Sequence, residues 1–170
     1  MTDPDGPAYY DADLATQLNA FIDQHREMLL ASLDGLTEAE VRARVVPSKT
    51  TLLGLLKHAR FVERVWLGEA VTGQSRADLG IEPSPDESFD LTDADTIESV
   101  RSAYVAAAEQ SRQAARELAP DAMLTGNRRG PITMRWVQLH LLRELAQHCG
   151  HADIIREQLL AARDEGPGRG

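Results

Sequence analysis

Residues 133–163 read TMRWVQLHLLRELAQHCGHADIIREQLLAAR, and this stretch decides the fold. Counted at 100° per residue from His148, Val137, Leu141, Ile155 and Leu159 fall in one narrow stripe, which predicts a long amphipathic helix. Glu144 and His151 fall in the same stripe, four residues before His148 and three after it. A carboxylate among leucines is costly unless it is paired or bound to a cation. Three groups that can all ligate a metal, on one apolar face and about one turn apart, point to a divalent-metal site in a helical core.

Working outward, the segment before this helix, residues 119–133, reads as a loop with Arg128 and Arg129 in a glycine-flanked stretch. A helix is expected from Thr92 and Asp95 to about Leu118, through Ile97, Val100, Tyr104, Ala107 and Ala108. Residues 74–92 are rich in Gly, Pro, Ser and Asp and read as a long crossover loop. The acidic stretch 86–95 reads as solvated. A further helix, capped by Thr50 or Thr51, is expected to run to about Val71, where Gly73 breaks it. Thr37 with Glu40 predicts a capping box on a short helix ended by Pro47. The first long helix is expected from about Asp11 to Gly35, with Leu14, Leu18, Phe21, Ile22, Leu29 and Leu33 recurring at helical spacing. The domain reading is an irregular arm over 1–10, one domain over 11–163 and a frayed tail over 164–170. Four long amphipathic segments and no strand-like alternation predict an all-α, four-helix bundle with a long crossover loop.

His58 passes the same facial test as His148. Gly54, Leu55, Phe61, Val62 and Val65 share its face, while Lys57 and Arg60 point elsewhere. Imidazole and carboxylate on facing helices are how a bundle holds a metal, and three protein ligands leave positions open for substrate. A core histidine taken singly is usually hydrogen-bonded and nothing more, and a lone buried glutamate is as readily an arginine's partner. His25 lies on the apolar side of the first helix, near Phe21, Ile22 and Leu29, and is a candidate cavity-lining residue. His140 sits at the edge of the stripe and receives no role. Cys149 reads as a small buried hydrophobe rather than a nucleophile. Trp66 and Trp136 read as core or dimer-interface packing.

The composition bounds the function. One hundred and seventy residues, 42% hydrophobic and 26% charged, suit one globular domain. A formal charge of −9 without a basic stripe argues against nucleic acid. A single cysteine allows no intrachain disulfide and suits a reducing cytoplasm. The acidic N-terminal residues lack the apolar run of a signal peptide, and no stretch approaches the roughly 20 apolar residues of a membrane span.

Two segments carry a resemblance to a known family: residues 50–66, TTLLGLLKHARFVERVW, and residues 144–157, ELAQHCGHADIIRE. With Gln24-His25-Arg26, Asp34-Gly35-Leu36 and Pro47-Ser48, they resemble the DinB-like (DinB/YfiT-like) metalloprotein superfamily, in its actinobacterial, mycothiol S-transferase-like branch. The resemblance implies a four-helix bundle around a zinc-type site (nickel, iron and manganese being alternatives). It also implies transfer of a low-molecular-weight thiol, such as mycothiol, to an electrophilic small molecule, as in detoxification. Many relatives are implied to use one histidine from the second long helix and an H-x-x-x-H pair from the last. This chain has E-x-x-x-H instead, as in mycothiol-dependent maleylpyruvate isomerase. The resemblance therefore assigns His58, Glu144 and His148 as ligands. It leaves His151 as a fourth ligand, a replacement for Glu144, or a catalytic base on the substrate side. Arg26, His25, Arg143, Arg128 and Arg129 are the candidates for holding cofactor or an anionic substrate group, the last two on a loop suited to a mobile lid. Three functions stay open: a metal-dependent thiol transferase, a hydrolase or isomerase using bound water, and a non-catalytic, homodimeric, stress-related metal-binding protein.

Overall fold

The computed structural model describes residues 4 and 6–165. The proposed tail lies mostly outside this range, since 166–170 are not described, as do residues 1–3 and 5 of the proposed arm. Within the arm, Pro7–Tyr9 form a single 3-10 turn.

The helices starting at Leu14, Glu38, Leu52 and Ile97 begin where a side chain satisfies a free amide group. Helix α1 (Leu14–Ala31) starts after Asp13, whose carboxylate accepts from the Thr16 amide at 3.0 Å. The Thr37–Glu40 capping box opens α2 (Glu38–Val41), which ends well before Pro47. Thr51 caps α3 (Leu52–Arg64), which continues through a π-helical turn, Val65–Glu69, into the short α4 (Ala70–Thr72). Gly73, at φ 71°, ends that rod as the sequence predicts. Thr96 and Ser99 cap α5 (Ile97–Glu117). The Thr92–Asp95 pair, expected to start this helix, forms its own turn instead, Asp95 accepting from the Thr92 amide at 2.7 Å. Helix α6 (Met134–Glu165) is the long helix of the opening stretch.

Helix α1 packs on α6, and α3 packs on both α5 and α6, giving the all-α bundle. Leu29, Leu53, Leu56, Tyr104, Leu141 and Leu145 fill its centre. A small antiparallel ladder, β1 (Met123–Leu124) with β2 (Ile132–Thr133), leads into α6. Two residues per strand are too short to produce a readable alternation, so the sequence showed only a loop there. No helix among the described residues is long and apolar enough to cross a membrane.

Two buried ionic arrangements fix the elements that frame the site. Arg26 of α1 donates to both carboxylate oxygens of Glu63 on α3, at 2.7 and 2.8 Å, and to Asp23 at 2.8 Å. Glu63 is wholly buried. Lys57 is buried as well, because the crossover segment lies over it. Its Nζ donates to the Asp90 carbonyl at 2.7 Å and to Asp95 at 3.1 Å. Gly54 permits this close approach: a Cβ there would stand 3.1 Å from the Phe89 carbonyl oxygen. The crossover is thereby drawn down onto α3, one turn from His58.

Candidate metal centre

His58 on α3 and His148 on α6 face each other across the bundle, with ring centroids 4.8 Å apart and planes at 82°. Glu144 lies one turn before His148, its Oε2 3.7 Å from the His148 Nε2. One ligand atom from each of His58, Glu144 and His148 lies within 4.8 Å of the others. The facial test thus brings together two helices and three of the four residues it singled out.

The donor set fits a divalent cation. Both ring nitrogens of His148 are buried and have no hydrogen-bond partner among the described residues. An unpaired buried polar group costs on the order of 1–3 kcal/mol, so a ring with neither nitrogen satisfied calls for a ligand. Burial lowers the His148 pKa, against the opposing pull of Glu144. Burial likewise pushes His58 down to about 4, with His148 adding to the shift and Glu144 opposing it. Both imidazoles are therefore neutral at pH 7 and can offer lone pairs.

The orientation of His58 is set by the crossover. Its Nδ1 lies 2.6 Å from the Ser88 Oγ, and that hydroxyl donates to the Pro85 carbonyl at 2.6 Å. Phe89 stacks on the imidazole, centroids 4.1 Å apart at 14°. The stretch 86–95 keeps Asp86, Glu87, Asp90 and Asp93 exposed, as expected of a solvated loop, but it also roofs the site: Ser88 is fully buried, and the Asp90 carbonyl and the Asp95 carboxylate hold Lys57. The Lys57 hydrogen bond to the Asp90 carbonyl and its ion pair with Asp95 hold this acidic loop down on α3. Nothing in its composition signalled this.

His151 lies outside the three-residue set. It is exposed, its ring centroid 5.8 Å from that of His148, and it lines a separate groove with Val46, Ser48, Thr50 and Ile154. The face of α6 that is actually buried is centred toward Leu145, Ala152 and Cys149, to one side of His148. Glu144 is carried to the half-buried edge and His151 beyond it. His25 is half-buried, its Nδ1 2.7 Å from the Phe21 carbonyl, and it is not one of the three clustered residues. Arg26 is engaged with Glu63 and Asp23. Cys149 is buried, donates weakly to the His25 carbonyl at 3.4 Å, and is pushed up to about 12 by burial, with Asp153 adding to the shift. It is a protonated thiol at neutral pH.

A cleft of about 360 Å³ opens beside His58 and Glu144. Its floor is Phe61, Val62, Val65 and Trp66, and its rim carries Arg143, Arg128 and Arg129, which the sequence proposed, together with Arg76, which it did not. Trp66 meets Trp136 and His140, and His140 stacks on Trp136 at 5.0 Å and 9°. His140, given no role by the sequence, accepts at Nδ1 from Arg143 at 2.8 Å and so carries its proton on Nε2, 3.8 Å from Glu144. The π-helical turn adds a residue to α3 at this point, and Trp66 and Glu69 both face the cleft from it. The loop bearing Arg128 and Arg129, suggested as a lid, is fastened: the Gly126 amide donates to the Ala70 carbonyl at 3.1 Å, Asn127 is buried, and Arg128 donates to Glu69 at 3.3 Å. A Cβ on Gly126 would fall 2.2 Å from the Glu69 carbonyl oxygen, so only glycine allows this docking.

Fold and site together define a helical-bundle protein with a two-histidine, one-carboxylate cluster opening onto a cleft. The sequence model of the family described as Mycothiol-S-transferase matches residues 17–161. The chain belongs to that family, and its DinB-like bundle agrees with the membership. No curated protein matches the chain.

Proposed function

We propose that this protein is a divalent-metal-dependent thiol S-transferase, with His58, Glu144 and His148 as its metal ligands. Zinc is the first candidate, with nickel, iron or manganese as alternatives, and mycothiol is the thiol the family points to. The observation that carries the reading is the buried His148 ring, both nitrogens unpartnered, aimed with a carboxylate and a second neutral imidazole at one point beside an open cleft. A cation bound there supplies Lewis acidity, lowering the pKa of a thiol so that its thiolate is present at neutral pH.

The chain's own residues supply the rest. Ser88 and Phe89 hold the His58 ring. Phe61, Val65 and Trp66 exclude water from one wall of the cleft, which strengthens electrostatic interactions inside it. The reaction forms a bond from sulfur to an electrophilic carbon. The thiol proton is released, and the displaced electron pair leaves with a leaving group or is protonated on the adjacent carbon. His151, 5.8 Å from His148 by ring centroids, remains a candidate for taking up that proton from the edge of the site. The reading also places the protein in the cytoplasm as a homodimer. Its support for association is the exposed apolar pair Trp136 and Leu139 on α6.

The test is consumption of a bimane electrophile by zinc-loaded protein with and without mycothiol. Turnover that needs both metal and thiol is expected. Equal turnover without thiol would move the reading to a hydrolase or isomerase using bound water, and no turnover with mycothiol would overturn the mycothiol-transferase reading.

A further inference from the structure

The cleft beside the metal cluster has a charge opposite to that of the chain. The protein carries a formal −9, yet four guanidiniums line this one cleft against two carboxylates, Glu69 and Glu144. Counted over these arginines and glutamates alone, two positive charges are left in excess. The four arginines are not equivalent. Arg76 and Arg128 share Glu69, at 2.9 and 3.3 Å, and both of its oxygens are thereby used. Arg143 leans on Glu144 at 3.1 Å with its side chain still two-thirds exposed. Arg129 lies over the face of Trp66, 5.5 Å from the ring centroid, and has no carboxylate partner among the described residues.

Arg129 is placed by an anchored loop, and the nearby Glu69 is already engaged by Arg76 and Arg128. Beneath it is an apolar floor. A planar guanidinium in that setting matches a carboxylate with two parallel donors, and a locally positive cleft in an acidic protein concentrates anions.

We propose that the second, electrophilic substrate is an organic carboxylate with an apolar body. Its head group is held by Arg129 and Arg143, and its body lies on Val65 and Trp66. The role of electrophile rests on the thiol-transfer reading, whereas the binding site for the anion does not.

The experiment uses two ligands of one shape and different charge, trans-cinnamate and cinnamamide, titrated by calorimetry into the full-length protein, metal-free and zinc-loaded. Cinnamate is expected to bind both forms saturably, and about tenfold or more tighter than cinnamamide. Its affinity should fall as sodium chloride is raised. Arg129→Gln and Arg143→Gln should each weaken cinnamate about tenfold and leave cinnamamide unchanged, with Arg129→Gln keeping the wild-type zinc content and melting temperature. Equal binding of the two ligands, no binding of cinnamate, or unchanged cinnamate affinity in both variants would overturn the proposal. Because metal-free protein is included and no thiol is present, failure here is separate from failure of the transferase reading, which the bimane assay reports alone.

Discussion

The Nδ1 of His58 lies 2.6 Å from the Ser88 Oγ, whose single proton is already given to the Pro85 carbonyl. The hydroxyl can only accept from the ring, so His58 carries its proton on Nδ1 and keeps Nε2 bare as the nitrogen it can offer a cation. Ser88 thus selects the tautomer that can ligate. Ser88→Ala is expected to weaken metal binding by about 10–100-fold. Competition against a chelating dye measures this directly, and the variant should still reach full metal occupancy at higher metal concentration.

Glu144 and His151 flank His148 on one helix, and the structure separates them by exposure. Glu144→Ala should lose most of its bound metal, because two neutral imidazoles are left to hold a dication. His151→Ala should retain the wild-type metal content. Elemental analysis of the two variants, purified side by side, decides between them.

Arg26 was a candidate for substrate contact and instead closes a buried ion pair with Glu63, itself wholly buried. Replacing one partner leaves an uncompensated buried charge. Arg26→Met is expected to destabilise the protein by about 3–5 kcal/mol in urea unfolding. Arg26→Met combined with Glu63→Leu should recover much of that loss. Metal content per folded chain should be unchanged in both.

Acidification should destabilise the metal-free protein through its buried histidines. Burial pushes His58 down to about 4 from an unfolded value of 6.5, and His148 shifts in the same direction. Between these values the unfolded chain binds more protons than the folded one. Stability is therefore fully present above about pH 6.5 and falls as the pH drops toward 4, with His58 contributing at most about 3.5 kcal/mol. Melting temperatures across that window in the metal-free protein measure it, and His58→Gln should flatten the curve.

The sequence made the helices legible because their apolar residues recur at 3.6 and their ends carry caps, as at Thr37, Thr51 and Gly73. It also brought out His58, Glu144 and His148, because polar groups able to ligate stand out on an apolar stripe. Counting the stripe from His148 itself set its centre wrongly. Leu145, Ala152 and Cys149 show the buried face to lie to one side, which is why His151 was drawn inward. The roof of the site was not legible. Ser88 and Phe89 reach His58 through Lys57, Asp90 and Asp95, contacts between segments more than 30 residues apart in an aperiodic loop. Arg76 and His140 were missed for a similar reason, since their place in the cleft depends on the π-helical turn and on the docking of Gly126 rather than on any local pattern.

The central claim is that His58, Glu144 and His148 form one metal centre. Its most direct test is the metal content of the wild-type protein and of His148→Ala after equilibration with zinc and removal of free ion. The account predicts one zinc per chain in the wild type and nearly none in the variant, with both proteins folded by circular dichroism. A wild type that holds no metal, or a His148→Ala variant that holds as much as the wild type, would contradict it.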